Sequence, residues 1–107
     1  MNVIEVKTKQ DKKRYIKFIY ELYKNDEHFS DINIILIKNF LYKKDDYAKR
    51  ANVVPIMIED NEVKLACIFI STNDSKELKM SFLEFMPNSQ KYIKEAAEKA
   101  KIELSGV

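Results

Sequence analysis

The chain of 107 residues sets 19 Lys and Arg against 17 Asp and Glu, with 46% apolar, 34% charged and 11% aromatic residues, the balance of one globular domain spanning 1–107. A single Gly, Cys and His and no Trp exclude Gly-rich phosphate loops, an internal disulfide and any zinc site built on several N/S ligands, so no metal is expected. A net charge of +2 with both signs interspersed gives no expectation of nucleic acid as a partner, and the longest strictly apolar run, Leu65 to Ile70, is far short of a bilayer span, so no membrane is expected either. With one unpaired cysteine and no apolar leader in the opening residues, the expectation is a soluble, cytoplasmic protein.

Asn2 to Lys7 places Val3 and Glu5 on one side and Ile4 and Val6 nearer the other, which predicts a short strand. Thr8 followed by Asp11 has capping-box form, so a helix is predicted from there to about Lys24. Its apolar positions are Tyr15, Ile16, Ile19, Tyr20, Leu22 and Tyr23, and its wet side carries Lys12, Lys13, Arg14, Lys17, Glu21 and Lys24. Asn25-Asp26-Glu27-His28 breaks the pattern. Ser30 or Asp31 can cap a second helix, with Ile32, Ile35, Leu36, Phe40 and Leu41 at helical spacing.

Asp45 to Asn52 is polar and reads as irregular, and the period then switches to two. Val54, Ile56 and Ile58 share one face before Asp60-Asn61, a pair suited to a tight hairpin turn. Beyond it Val63, Leu65, Cys67 and Phe69 alternate with Ala66, Ile68 and Ile70, which predicts a central strand covered on both sides. Pro55 cannot donate to a ladder, which puts its strand near an edge or a bulge. Ser71 to Lys76 is a polar turn leading to a further strand with Leu78, Met80, Phe82 and Leu83-Glu84-Phe85, closed by Pro87. Asn88 or Ser89 can cap a last helix with a narrow stripe of Ile93, Ala96, Ala97, Ala100 and Leu104, stopped by Gly106. The order β-α-α-β-β-β-α predicts an α+β domain, a mostly antiparallel sheet with helices packed on it.

Few residues offer chemistry by themselves. Cys67 sits mid-strand among Leu65, Ile68 and Phe69, where a buried thiol behaves as a small hydrophobe. His28 has no identifiable catalytic partner and reads as a surface or capping residue. Tyr15, Tyr20 and Tyr23 fit the margin of an amphipathic core better than a base-stacking surface, and acids interrupt the small basic groups Lys12-Lys13-Arg14-Lys17, Lys43-Lys44 and Lys49-Arg50.

The stretch from Lys12 to Phe29, KKRYIKFIYELYKNDEHF, resembles the opening of a group within the GNAT superfamily of acetyl-CoA-dependent N-acetyltransferases, most densely in Tyr20-Glu21-Leu22-Tyr23-Lys24-Asn25-Asp26. EDNEVKLACIFI resembles the second and third strands of that family, and KMSFLEFMPNSQKYIKEAAEKAK resembles its fourth strand running into the cofactor helix, so the likeness covers about residues 3 to 104. It implies the N-terminal half of the GNAT fold, with acetyl-CoA lying where the fourth strand splays from a fifth and its diphosphate on backbone amides at the following helix start. Carried onto this chain, Phe85, Met86, Asn88, Ser89, Gln90 and Lys91 would bind the cofactor, and Glu84 would be the general base that deprotonates an incoming amine.

This sequence departs from the family in two ways. The family's loop of Gln or Arg, two residues, Gly, one residue and Gly or Ala is absent, and Asn88, Ser89 and Gln90 carry side chains where diphosphate approaches. The family's fifth strand, the helix after it and its remaining strands have no counterpart within the 107 residues. The expectation is therefore a truncated relative: part of a longer protein, a domain that has lost catalysis, or one completed by a second copy. The alternative to acetylation of an unidentified amine is a non-catalytic module forming a homodimer through an exposed sheet edge.

Overall fold

A computed structural model of the chain describes residues 1–27, 29, 31–71 and 78–104. The expectations for His28, for Ser30 as a cap, for the turn after Ser71 and for Gly106 lie outside the described residues, as does the Leu104 side chain. The order is β1 (Asn2–Glu5), α1 (Lys9–Tyr23), α2 (Asp31–Tyr42), α3 (Asp46–Arg50), β2 (Asn52–Asp60), β3 (Glu62–Ser71), β4 (Lys79–Phe85), a 3-10 turn (Gln90–Tyr92) and α4 (Ile93–Leu104). The strands form one antiparallel sheet in the order β1-β2-β3-β4, so the α+β architecture is that of a meander with helices on it.

The two central strands alternate as their sequence requires from Leu65 on, whereas Val63, expected on the face of Leu65 and Cys67, lies on the α1 side, beside the register shift between Ile58 and Glu59. Val54, Ile56, Ile58, Leu65, Cys67 and Phe69 face one way and pack under Tyr92, Ala96 and Ala100 of the C-terminal helical segment. Met57, Ala66, Ile68 and Ile70 face the other way, where Tyr15, Phe18 and Ile19 of α1 and Ile34, Ile37 and Leu41 of α2 cover them. The small side chains of α4 let its axis lie close to the sheet. Thr8 caps α1 as the sequence predicts, its hydroxyl accepting from the Asp11 amide at 3.1 Å. Asn61 holds φ 67° between β2 and β3, which its short polar side chain tolerates.

Five further local expectations are corrected. In α2 the buried positions are Ile34, Ile37 and Leu41, whereas Ile32, Ile35 and Leu36 are exposed; the helix is apolar nearly all round, so spacing alone does not choose its inner face. Tyr20 is likewise exposed, and Phe18 takes a core position of α1. Residues 45–52 are not irregular: Asp45 caps the short α3 by accepting from the Ala48 amide at 2.8 Å, and Asn52 already belongs to β2. That bond, with one from Asn39, holds the Asp45 carboxyl below the usual carboxylate range.

Pro55 lies in an inner strand, because β2 pairs with both β1 and β3. The missing N–H falls where β1 leaves the sheet: Val6 donates to the Pro55 carbonyl at 2.8 Å, and only the reciprocal bond is forgone. Ser89 precedes the 3-10 turn but makes no side-chain cap bond; it is buried instead.

Strand β4 carries a bulge. Ala66 pairs with Glu84 and Ile68 with Ser81, so two steps along β3 match three along β4. Phe82 sits within that interval at φ 54°. The extra residue returns Phe82 to the α1 and α2 side and leaves Leu83 and Phe85 on the α4 side.

Ala96 has no exposed surface against the sheet, so Ala96→Leu is expected to destabilise the domain by about 1–3 kcal/mol in urea denaturation. A leucine at the exposed Lys94 is expected to stay within about 0.5 kcal/mol.

Candidate functional site

Glu84 lies on the bulged outer strand opposite Ala66, whose methyl leaves room beside it on the side facing α1. The Tyr23 hydroxyl, from the last turn of α1, donates to Glu84 Oε2. The Tyr23 ring is itself held in a parallel stack on Phe29, centroids 4.9 Å apart and planes 7° apart. Burial first, then the bond to the Glu84 carboxylate, pushes the Tyr23 hydroxyl up to about 12. It therefore keeps its proton and acts only as a donor near neutrality.

Two turns earlier on the same helix face, Tyr15 is fully buried and its hydroxyl has no hydrogen-bond partner. Its pKa is raised well above the ordinary value, chiefly by burial and further by the charges of Cys67 and Glu84. Tyr15, Ile19 and Tyr23 follow at four-residue steps, so α1 lays one polar atom at each end of an apolar stripe against the sheet.

Downstream of Glu84 the chain turns a corner. The Met86 amide donates to the Lys64 carbonyl at 2.9 Å, and Ser89 donates to the Met86 carbonyl at 3.1 Å. Pro87 and Asn88, the latter at φ 65°, form the centre of that turn, the pattern of a type II turn. The Tyr92 amide donates to Ser89 and the Ile93 amide to Gln90. Internal bonding thus engages the Ser89 amide, and Pro87, Asn88, Gln90 and Lys91 are the exposed residues of the corner.

The Tyr92 hydroxyl donates to Asp60 Oδ2 at 2.6 Å, tying the 3-10 turn to the β2–β3 hairpin. This bond is the main reason that the Asp60 carboxyl is held low and the Tyr92 hydroxyl pushed up.

The sequence-predicted residues do not form one cluster. Glu84 and Met86 belong to the α1 side, Phe85 packs with the α4-side core, and the Asn88 to Lys91 corner lies at the start of the last helical segment. On the α1 side Met86, with Phe18, Leu22 and Val63, gives an apolar floor to a cleft of about 620 Å³. The rim is charged, and most of its ions are paired; Arg14 bonds Glu59 and also lies 3.6 Å from Asp11, and Lys24 lies 3.5 Å from Glu21.

Cys67 is buried, and burial pushes its thiol up to about 12, which makes it a poor nucleophile. Among the described residues no His, Cys, Asp and Glu gather into a metal-binding group, and no helix is long and apolar enough to cross a membrane. Sequence reasoning did not find the two tyrosine hydroxyls. Their spacing on α1 was a signal, but nothing local links Tyr23 to a residue 61 positions away. Compared with protein-family models, curated proteins and solved structures, the chain matches none.

Tyr15→Phe removes a buried hydroxyl that has no partner and is expected to leave stability unchanged or raise it by about 1 kcal/mol, whereas Tyr23→Phe is expected to cost about 0.5–1.5 kcal/mol in urea denaturation. The raised Cys67 and Tyr23 values imply a loss of stability in alkali. Unfolded chains ionise from the ordinary 9.0 and 10.0, while the folded protein retains these protons to about 12. Stability is fully present below about pH 9 and falls as pH rises toward about 12. Urea midpoints measured across that window check the sign.

Proposed function

We propose that the chain is a GNAT-like domain related to acetyl-CoA-dependent acetylation of amines, in which Glu84 is the general base. The observation that carries this reading is the Glu84 carboxylate on the bulged strand β4, oriented by a tyrosine hydroxyl and two residues before a corner that runs into a helix. The β-α-α-β-β-β-α order supports it, with α3 and a 3-10 turn added. Bulges recur beside active sites because they re-aim side chains and backbone groups.

In the proposed reaction Glu84 accepts a proton from the acceptor ammonium. The amine nitrogen then attacks the thioester carbonyl, a C–N bond forms, the C–S bond breaks, and the sulfur leaves as thiolate and takes up the second proton of the nitrogen. Tyr23 fixes the carboxylate by donating to one oxygen, which leaves Oε1 for the amine. The diphosphate would draw on the amides of Asn88, Gln90 and Lys91, since that of Ser89 is engaged with Met86. Phe85, Met86 and Ser89 would shape the corner that presents them.

Calorimetry with acetyl-CoA tests the cofactor half, and acetyl transfer to a panel of primary amines tests the other. Micromolar binding is expected, weakened at least tenfold by Gln90→Pro, which removes one amide at a position where proline suits a helical start. Glu84→Gln is expected to keep acetyl-CoA binding and to slow transfer about 10²-fold or more. Absence of both binding and transfer overturns the proposal.

A further inference from the structure

Between α1 and α2 runs an open groove of about 410 Å³, lined by Lys13, Ile16, Lys17 and Tyr20 from α1 and by Lys38 and Tyr42 from α2. Half-buried Ile16 gives it an apolar patch, and the exposed rings of Tyr20 and Tyr42 stand along it. Lys38 is itself half-buried. Among the described residues none of these three lysines has an ion pair or a hydrogen bond. Lys13 and Lys17 are four residues apart on one helix, where like charges repel, so the empty groove carries a cost that an anion relieves.

The sequence intersperses acids with these lysines, and the fold sorts them. Asp11 lies 3.6 Å from Arg14, which also bonds Glu59 and lines the cleft on the other flank of α1. Glu21, the one acid among the described residues lining the groove, lies 3.5 Å from Lys24. Lys12 stands over the Tyr42 ring, 5.0 Å from its centroid, and adds a fourth positive charge. Along α2 the basic stretch is bounded at both ends. Asp26, Glu27 and Asp31 come two turns or more before Lys38, and beyond Tyr42 the charges of Lys43 and Lys44 are balanced by Asp45 and Asp46, with Asp45 bonded to Asn39.

We infer that this groove docks a short acidic peptide segment of a partner protein, with Lys13 and Lys17 meeting its carboxylates from one bank and Lys38 from the other. An open groove does not enclose the greater part of a small ligand, as a small-molecule site does. Acids at both ends keep the basic stretch short, which disfavours a run of nucleic-acid phosphates. Lysines around an apolar patch and two tyrosines suit carboxylates flanking one apolar side chain. Lys13 and Lys17 are about 6 Å apart along α1, about two residues of an extended chain, so alternate acidic residues on one side of such a segment meet both. The inference does not depend on the proposed acetyl transfer, because no lining residue belongs to β4 or to the corner after it.

Fluorescence anisotropy of the full chain with a labelled peptide tests it, the peptide having a core of glutamate, leucine, glutamate and glutamate between glycine and serine flanks. The expected dissociation constant is on the order of 10–100 µM at low salt, rising with ionic strength. Lys13→Glu with Lys17→Glu is expected to raise it at least tenfold, and Lys38→Glu to do the same, while Lys94→Glu on exposed α4 surface changes it less than twofold. Thermal unfolding of each variant checks that it folds, and the double variant carries the test should Lys38→Glu fail to. A peptide with lysines in place of the glutamates is expected to bind the double variant better than it binds the unaltered chain. No binding at about 1 mM peptide overturns the inference, as does binding indifferent to both sets of lysine substitutions or to replacement of the glutamates by glutamines. Tighter binding of a uridine oligonucleotide or of phosphatidylserine vesicles, lost with the same substitutions, overturns it in favour of those partners.

Discussion

Strands β2 and β3 are buried on both faces from Val54 to Ile58 and from Leu65 to Ile70, and the rest of the architecture answers to that constraint. An antiparallel pair with one wet face needs cover on one side only; this pair needs two layers. The helices that come before the hairpin supply one layer and the helix that comes after β4 supplies the other. Each fully buried Ile contributes about 1.5–3 kcal/mol from its transfer out of water, against about 1 kcal/mol net for a hydrogen bond, so packing of these side chains outweighs the scattered polar contacts.

Within that apolar frame two polar pairs stand out. Asp60 meets Tyr92 at the hairpin turn, and Glu84 meets Tyr23 between β4 and α1. Both pairs join segments distant in sequence through a tyrosine hydroxyl and a carboxylate, and both leave the hydroxyl protonated, hence a fixed donor. They pin the approach of a helix to the sheet at a chosen point, which hydrophobic contact by itself leaves loose. Glu84 is the carboxylate of the two pairs that stands two residues before the corner into the last helical segment, and the proposed general base is assigned to it rather than to Asp60 on that ground.

Much of the fold was legible because period and punctuation agree. Alternation marked β2 and β3, Asp60-Asn61 marked their turn, Thr8 marked the start of α1, and the alanines marked the face of α4. Where the sequence was ambiguous, tertiary geometry decided. The α2 segment offers apolar residues on every side, so its inner face depends on where α1 and the sheet stand. Asp45 with Ala48 three residues on was a readable cap hidden in a polar stretch. Pro55 misled because an inner strand can spare one donor where its neighbour ends. For the candidate site, the sequence pointed to Glu84 through a family likeness, whereas its tyrosine partner and the engaged Ser89 amide come from contacts across the chain that no local pattern encodes.

The kink in β4 also shapes the rim of the sheet. Phe82 holds a left-handed backbone that costs a bulky residue on the order of 1–2 kcal/mol, and it interrupts the row of amides and carbonyls that the outermost strand would otherwise present. At the opposite rim β1 is only four residues long. A stack growing strand upon strand would meet a crooked rung on one side and a stub on the other, so neither border offers the straight template that fibril elongation copies.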